Sequence, residues 1–171
     1  ERNDSFGIEA YSSVILENVM AVGNKDTGVF TMGHVTIFGK ENEFSENGRS
    51  GISAYKGVDA NGAVLQAKDN TSDGIFSSDG SIGINFNGAS SVWENTSAIS
   101  GNGNRGISAP NFTKQNGKGD VMAARLEVIN NKGIGIKTAG DLTLDYSKIC
   151  GNTKGNLDVG GAKNLTNVIG C

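Results

Sequence analysis

A short pattern, Asn-x-x-x-Gly followed by Ile or Val, recurs along the whole 171-residue chain. Six copies begin at Asn3, Asn24, Asn47, Asn70, Asn102 and Asn131, and a seventh, at Asn152, has Asn156 in place of the glycine. Successive copies are separated by 21, 23, 23, 32, 29 and 21 residues. A repeat of this length is typical of a solenoid, in which each copy forms one coil that stacks on the next.

Strand-like segments lie between the copies of the pattern. Alternation of apolar residues at 14–16, 35–37, 63–65, 82–84 and 142–144 predicts a second strand in each unit. The residue three positions before each motif asparagine, from the second copy onward, is apolar: Ala21, Phe44, Ala67, Ile99, Val128 and Ile149. Because the chain has 26 glycines and one proline, we expect many short strands joined by tight turns.

Units with a Gly-aliphatic strand, a second alternating strand and an Asn turn resemble coils of the pectin-lyase-like superfamily of single-stranded right-handed parallel β-helices. The resemblance covers nearly the whole chain. It implies an all-β right-handed solenoid of about six or seven coils of 21–23 residues, two of them enlarged, in one domain at 1–171 or as a fragment of a longer solenoid. Leucine-rich repeats have a similar period, but their leucine signature is absent here.

The stacked pattern gives its asparagines and glycines physical roles. Asparagines on successive coils are expected to hydrogen-bond to one another and to turn backbone. The seventh copy replaces Gly by Asn156, and Asn is the residue that best replaces Gly where φ is positive. We therefore expect a left-handed backbone at the glycine position of every copy.

The two cysteines, Cys150 and Cys171, are separated by 21 residues, one minimal coil. They should therefore lie above one another on adjacent coils, at a spacing that suits a disulfide. A disulfide there would favour an oxidising compartment and hence a secreted, extracellular or cell-surface protein. Two free thiols are the alternative.

Long connections in the middle coils are the candidate recognition surface, because length variation in solenoids maps to loops. We expect such loops at 55–62, 87–95 and 110–120. An aromatic ring beside amide and cationic groups is typical of a sugar-binding surface. The candidate carbohydrate-binding residues are Trp93, Tyr55, Asn111, Lys114 and Gln115. In the alternative interpretation, Trp93 only covers the junction between its loop and the coil.

Charged residues follow the motif asparagines on successive coils: Asp26, Arg49, Asp73 and Arg105. Alternating signs are expected of an ion-pair ladder at a solvent edge. Pectate lyases, which the fold resembles, instead use acidic Ca²⁺ ligands with a basic residue, so Asp73 and Arg105 form the alternative lyase edge. Polygalacturonases of this superfamily use a Gly-His-Gly and an Arg-x-Lys motif. Neither is matched, because Val35 follows Gly33 and His34 and no Arg-x-Lys occurs. No catalytic residue, metal site or cofactor is assigned.

Five Asn-x-Ser/Thr sequons occur, at Asn3, Asn70, Asn95, Asn111 and Asn164. Asn95 and Asn111 lie in the long loops and are the candidate glycosylation sites, whereas Asn3 and Asn70 belong to the repeat and are expected to be inaccessible.

The chain has a net charge of −3, with its 15 basic residues scattered, and no apolar run long enough to span a membrane. We therefore expect no nucleic-acid partner and no membrane span. The expected function is that of a non-catalytic extracellular scaffold or of an adhesin-like or filament module that recognises a polysaccharide or assembles end to end or laterally with other chains. The alternative is a polysaccharide lyase, hydrolase or epimerase, including a phage tailspike, so whether the protein is an enzyme stays open.

Overall fold

A computed structural model describes residues 3–60, 62–84, 96–110 and 119–171. All regular secondary structure in these ranges is β, in three parallel sheets formed by strands of successive repeats. Sheet 1 contains β1 (Ile8–Ala10), β3 (Val29–Thr31), β6 (Ile52–Ala54), β9 (Ile75–Ser77), β12 (Ile107–Ala109), β15 (Ile136–Thr138) and β18 (Leu157–Val159). The predicted parallel β-solenoid is confirmed.

The other two sheets complete each coil. Sheet 2 contains β2 (Val14–Glu17), β4 (Val35–Phe38), β7 (Val58–Ala60), β10 (Ile82–Ile84), β13 (Val121–Ala124), β16 (Leu142–Asp145) and β19 (Lys163–Thr166). Sheet 3 contains β5 (Asn42–Glu43), β8 (Leu65–Lys68), β11 (Ser97–Ser100), β14 (Leu126–Ile129), β17 (Lys148–Cys150) and β20 (Ile169–Gly170). We number the coils one to seven from their motif asparagines, Asn3 to Asn152. Within the described ranges, no helix is long and apolar enough to cross a membrane.

The bore of the solenoid is filled by the aliphatic columns that the repeat predicts. Val29, Ile52, Ile75, Ile107 and Ile136 are fully buried on sheet 1, and the register pairs each with its counterpart on the next coil. The six apolar residues before the motif asparagines are also buried, at 0 to 3 % exposure. Stacking of like side chains therefore provides one continuous core.

The third coil differs from its expected course. The sequence interpretation placed a long loop at 55–62 and a strand at 63–65, but Val58–Ala60 is the sheet 2 strand of this coil and Leu65 begins the sheet 3 strand. Val58 and Ala60 are buried while Asp59 between them is half-buried. This period-two alternation was present in the sequence but was obscured by the glycines at 57 and 62, both of which have positive φ.

A continuous ladder of buried asparagine amides runs between sheets 3 and 1. Asn24 donates from Nδ2 to Oδ1 of Asn47 at 2.8 Å, and Asn47 donates in the same way to Asn70 at 3.0 Å. The series continues through Asn102 and Asn131 to Asn152 at 2.8 to 3.0 Å. The predicted ladder is confirmed, and its rungs are 0 to 8 % exposed.

The motif glycines are not left-handed, so that expectation was wrong. The left-handed residue directly precedes each rung, at Gly23, Glu46, Asp69, Gly101, Asn130 and Gly151. The motif glycines are required for space instead. A Cβ at any of the six would lie 2.6 to 2.8 Å from a carbonyl oxygen of the next coil and 2.6 to 3.0 Å from the next rung's Nδ2.

Candidate functional site

The strongest candidate site is a groove along the outer face of sheet 1 and the turn that follows the Asn ladder. It has a volume of about 410 Å³. Its lining consists of aromatic, hydroxyl and charged side chains from four successive coils and the start of the next: Phe6, Thr27, Phe30, Arg49, Ser50, Ser53, Ser72, Asp73, Phe76 and Arg105. We call this surface the sheet 1 groove.

Strand alternation places the aromatic rings of the groove. Phe30 and Phe76 each follow the buried aliphatic residue of a Gly-aliphatic strand, so they face away from the core. The register pairs Phe30 with Ser53 and Ser53 with Phe76. Two strand spacings of about 4.8 Å therefore separate the two aromatic positions by roughly 10 Å. The Phe6 ring stacks on Phe30, with ring centroids 5.2 Å apart and an interplanar angle of 26°.

An ion pair forms part of the lining. Arg105 donates from Nε to Oδ1 of Asp73 at 3.2 Å and from Nη2 to Oδ2 at 3.1 Å, and its backbone N–H donates to Oδ1 at 3.0 Å. The Asp73 side chain is 4 % exposed and that of Arg105 is 23 % exposed. Because the carboxylate accepts three hydrogen bonds from one residue, its oxygens are engaged within the protein.

A second pair joins the preceding coils, with a looser geometry. Nη1 of Arg49 lies 3.8 Å from Oδ2 of Asp26, and the Arg49 side chain is 70 % exposed. The four charges with alternating signs form two ion pairs along this edge. Asp26 and Arg49 follow their rungs by two residues, whereas Asp73 and Arg105 follow theirs by three. The edge therefore contains two separate ion pairs in adjacent columns, and the guanidinium of Arg49 is the more accessible cation.

Most of the residues predicted to bind carbohydrate lie outside the described part of the chain: Trp93, Asn111, Lys114 and Gln115. Tyr55 is described and is half-buried. Its backbone N–H donates to the Thr31 carbonyl oxygen at 3.0 Å, at the corner between sheets 1 and 2. Tyr55 is not part of the sheet 1 groove.

The sequence interpretation missed the aromatic positions of the groove. Phe30 and Phe76 immediately follow Val29 and Ile75 of the repeat, so the alternation alone places them outside the core. Phe6 precedes Gly7 of the first copy. A search for aromatic residues at the outward position of consecutive repeats would have identified Phe30 and Phe76.

The sequons have different accessibilities. Asn70 is a buried ladder rung, as expected, but Asn3 is exposed, which corrects the expectation that it is inaccessible. Its backbone N–H donates to Oδ1 of Asn24. Asn164 is exposed on β19. Asn95 and Asn111, the candidate glycosylation sites, lie outside the described residues.

The cysteines occupy neighbouring coils at the outer face of sheet 3. The register pairs Lys148 with Ile169 and Ile149 with Gly170, so the next position places Cys150 opposite Cys171. Both are free thiols in this structure, and a hydrogen bond with Cys171, followed by burial, raises the pKa of the Cys150 thiol. Their spacing of about 4.8 Å suits a disulfide, which stays a prediction.

The raised pKa of Cys150 predicts the pH dependence of its alkylation under reducing conditions. The thiolate is the nucleophile, so a raised pKa moves the rise in alkylation rate to higher pH. Replacing Cys171 by Ala removes the hydrogen bond and should move this rise to lower pH. Mass spectrometry of the Cys150 peptide after iodoacetamide pulses measures the profile. An unchanged or upward-shifted profile would contradict the thiol contact.

No protein-family model matches the chain, and no curated protein or solved structure matches it either.

Proposed function

We propose that the chain is a non-catalytic recognition module of an extracellular right-handed β-helix of the pectin-lyase-like kind, and that it binds a glycan along the sheet 1 groove. The single observation that supports this proposal best is the alignment of aromatic and hydroxyl side chains on consecutive coils of a rigid sheet. Aromatic rings stack on the apolar faces of sugars, and hydroxyl groups hydrogen-bond to sugar hydroxyls.

The rigidity of the platform supports recognition of an extended ligand. Phe30, Ser53 and Phe76 lie on strands held in register by backbone hydrogen bonds and by the Asn ladder between sheets 3 and 1. A preorganised surface loses little conformational entropy on binding. The ligand suited to such a surface is a chain of repeating units, because the groove itself repeats coil by coil.

The charged groups of the groove support a binding role more than a lyase role. Asp73 is engaged by Arg105 through three hydrogen bonds, and Asp26 lies beside Arg49. A hard cation such as Ca²⁺ requires about six to eight oxygen ligands. Arranged as pairs, these residues serve to order the turn and to present guanidinium groups at the edge of the groove.

Phe30→Ala tests this function. We expect neutral and acidic oligosaccharides, screened on a glycan array, to include at least one ligand, and the variant to weaken binding of that ligand about tenfold, as expected for about 1.4 kcal/mol of stacking. Isothermal titration calorimetry measures the affinity. Phe38→Ala is the matched control, because Phe38 is 47 % exposed on sheet 2, and it should leave binding unchanged.

Three results would contradict the proposal. Two of them are the absence of any glycan ligand and equal weakening of glycan binding by Phe30→Ala and Phe38→Ala. The third is an increase in ultraviolet absorbance from unsaturated products when the protein is incubated with uronic-acid polymers and Ca²⁺, lost on Arg105→Ala, which would favour the lyase alternative.

A further inference from the structure

Coil seven departs from the repeat at three positions. Asn156 stands where the six preceding coils have glycine. Lys163 pairs in register with Leu142 and continues a sheet 2 column that is otherwise aliphatic: Val14, Val35, Val58, Ile82, Val121 and Leu142. Gly170 pairs with Ile149 and continues the column of apolar residues before the rungs.

Asn156 occupies the space that another coil would need. At each motif glycine a Cβ would lie within 2.8 Å of the next coil's carbonyl oxygen, and real Cβ atoms do not approach backbone that closely. A coil stacked in the regular way on coil seven would bring its backbone against the Cβ of Asn156. The substitution is therefore tolerated only where no regular coil follows at this turn.

The side chain of Asn156 also ends the hydrogen-bond ladder. Nδ2 of Asn131 donates to Oδ1 of Asn152, the next rung, at 2.8 Å. Nδ2 of Asn152 donates instead to Oδ1 of Asn156, within its own coil, at 3.1 Å, and to the Val128 carbonyl oxygen at 3.0 Å. Asn156 thus takes the place that the next rung has for the preceding asparagines, and the Asn152 amide has both of its hydrogen bonds.

Lys163 independently opposes the pairing of a further strand with β19. A charged residue at an inward register position of an edge strand opposes pairing with a further strand, because its charge would have to be buried. The end face nevertheless retains apolar groups, including Leu157, Leu165 and Val168, around a cavity of about 430 Å³. Without Asn156 and Lys163 this face would resemble the interface between any two coils.

We infer that coil seven is a stop coil, and that Asn156 and Lys163, aided by Gly170, prevent a second copy of this chain from stacking on the end of the solenoid. The partner that this surface is shaped to exclude is the first coil of another copy. That coil has Gly7, Val14 and Ala21 at the three equivalent positions. The inference is independent of the glycan-binding function.

The test restores the repeat in the 171-residue chain with Asn156→Gly, Lys163→Val and Gly170→Ile together. We expect the weight-average mass from sedimentation velocity to rise with concentration in this variant and to stay at the monomer value in the unaltered chain. The control variant introduces the same three residue types, Gly, Val and Ile, at nearby positions that face outward. It carries Asp158→Gly, Asn164→Val and Lys148→Ile, and it should stay monomeric.

A folded triple variant that stays monomeric would overturn the inference, as would equal association of the control or of the unaltered chain. Circular dichroism reports whether each variant folds. If the triple variant does not fold, the double variant Asn156→Gly with Lys163→Val is measured instead, because it removes both obstacles. Association of the double variant at the highest concentration supports the stop coil, and its absence there overturns it.

Discussion

Replacing Asn70 with alanine is expected to lower the free energy of unfolding by about 4 kcal/mol, a large part of the roughly 5–15 kcal/mol that stabilises a domain. Asn70 is 1 % exposed and its side chain makes four hydrogen bonds. Oδ1 accepts from the backbone N–H and from Nδ2 of Asn47, both at 3.0 Å. Nδ2 donates to the Phe44 carbonyl oxygen at 2.9 Å and to Oδ1 of Asn102 at 3.0 Å.

The size of this effect follows from what the alanine leaves behind. Each lost hydrogen bond costs about 1 kcal/mol, and a buried donor left without a partner costs about 1–3 kcal/mol. The backbone N–H of Asn47 becomes such a donor, because its acceptor is the removed oxygen. Urea unfolding followed by circular dichroism measures the difference.

Asn164→Ala is the matched control for the ladder. Asn164 lies on β19 and is exposed, so the same substitution there should change the free energy of unfolding by less than about 0.5 kcal/mol. Equal effects of the two substitutions would show that the buried ladder contributes no more to stability than a surface amide.

Replacing Gly51 with alanine is expected to destabilise the fold by about 3 kcal/mol, the upper part of the usual range for overpacking. Its Cβ would lie 2.5 Å from the Phe44 carbonyl oxygen, 2.7 Å from the Gly74 carbonyl oxygen and 3.0 Å from Nδ2 of Asn70. Two of these atoms are backbone and the third is held in the ladder, so relief requires coils two and four to move away from coil three.

Gly170→Ala is the control for this substitution. The nearest atom to its added Cβ is the Ile149 carbonyl oxygen at 3.9 Å, which is an ordinary contact, and Gly170 does not have a positive φ. Thermal unfolding should therefore show a large loss of stability for Gly51→Ala and little change for Gly170→Ala. Equal melting temperatures for Gly51→Ala and the unaltered chain would contradict the close approach of the coils.

The repeat allowed most of the fold to be predicted. Stacked coils place equivalent residues above one another, so each aliphatic or asparagine position has the same environment as its counterparts in the other coils. The ladder from Asn24 to Asn152 followed directly from the spacing of the motif. The role of the motif glycine was misassigned, because the sequence shows that a side chain is absent but does not show whether φ or space requires it. Close approach to the next coil is a property of the stack and is visible only in three dimensions.

The candidate site was less predictable. The long loops favoured Trp93 and Asn111 as binding residues, and both lie outside the described residues. The sheet 1 groove is instead formed by ordinary repeat positions such as Phe30 and Ser53. The pairing of Asp73 with Arg105 was anticipated, but its three hydrogen bonds depend on backbone orientation at the turn. The spacing of the motif predicts which coil a residue belongs to. It is a weaker guide to which neighbours the side chain of that residue contacts.

Hydrogen exchange of the asparagine side-chain amides, resolved by NMR, tests most directly the claim that a buried amide ladder holds this solenoid together. The Nδ2 protons of Asn47, Asn70, Asn102 and Asn131 are each engaged by a neighbouring rung. We predict that they exchange as slowly as the backbone amides of the central strand β8, because both require separation of the coils. Exchange as fast as that of the exposed amide of Asn164 would contradict the ladder.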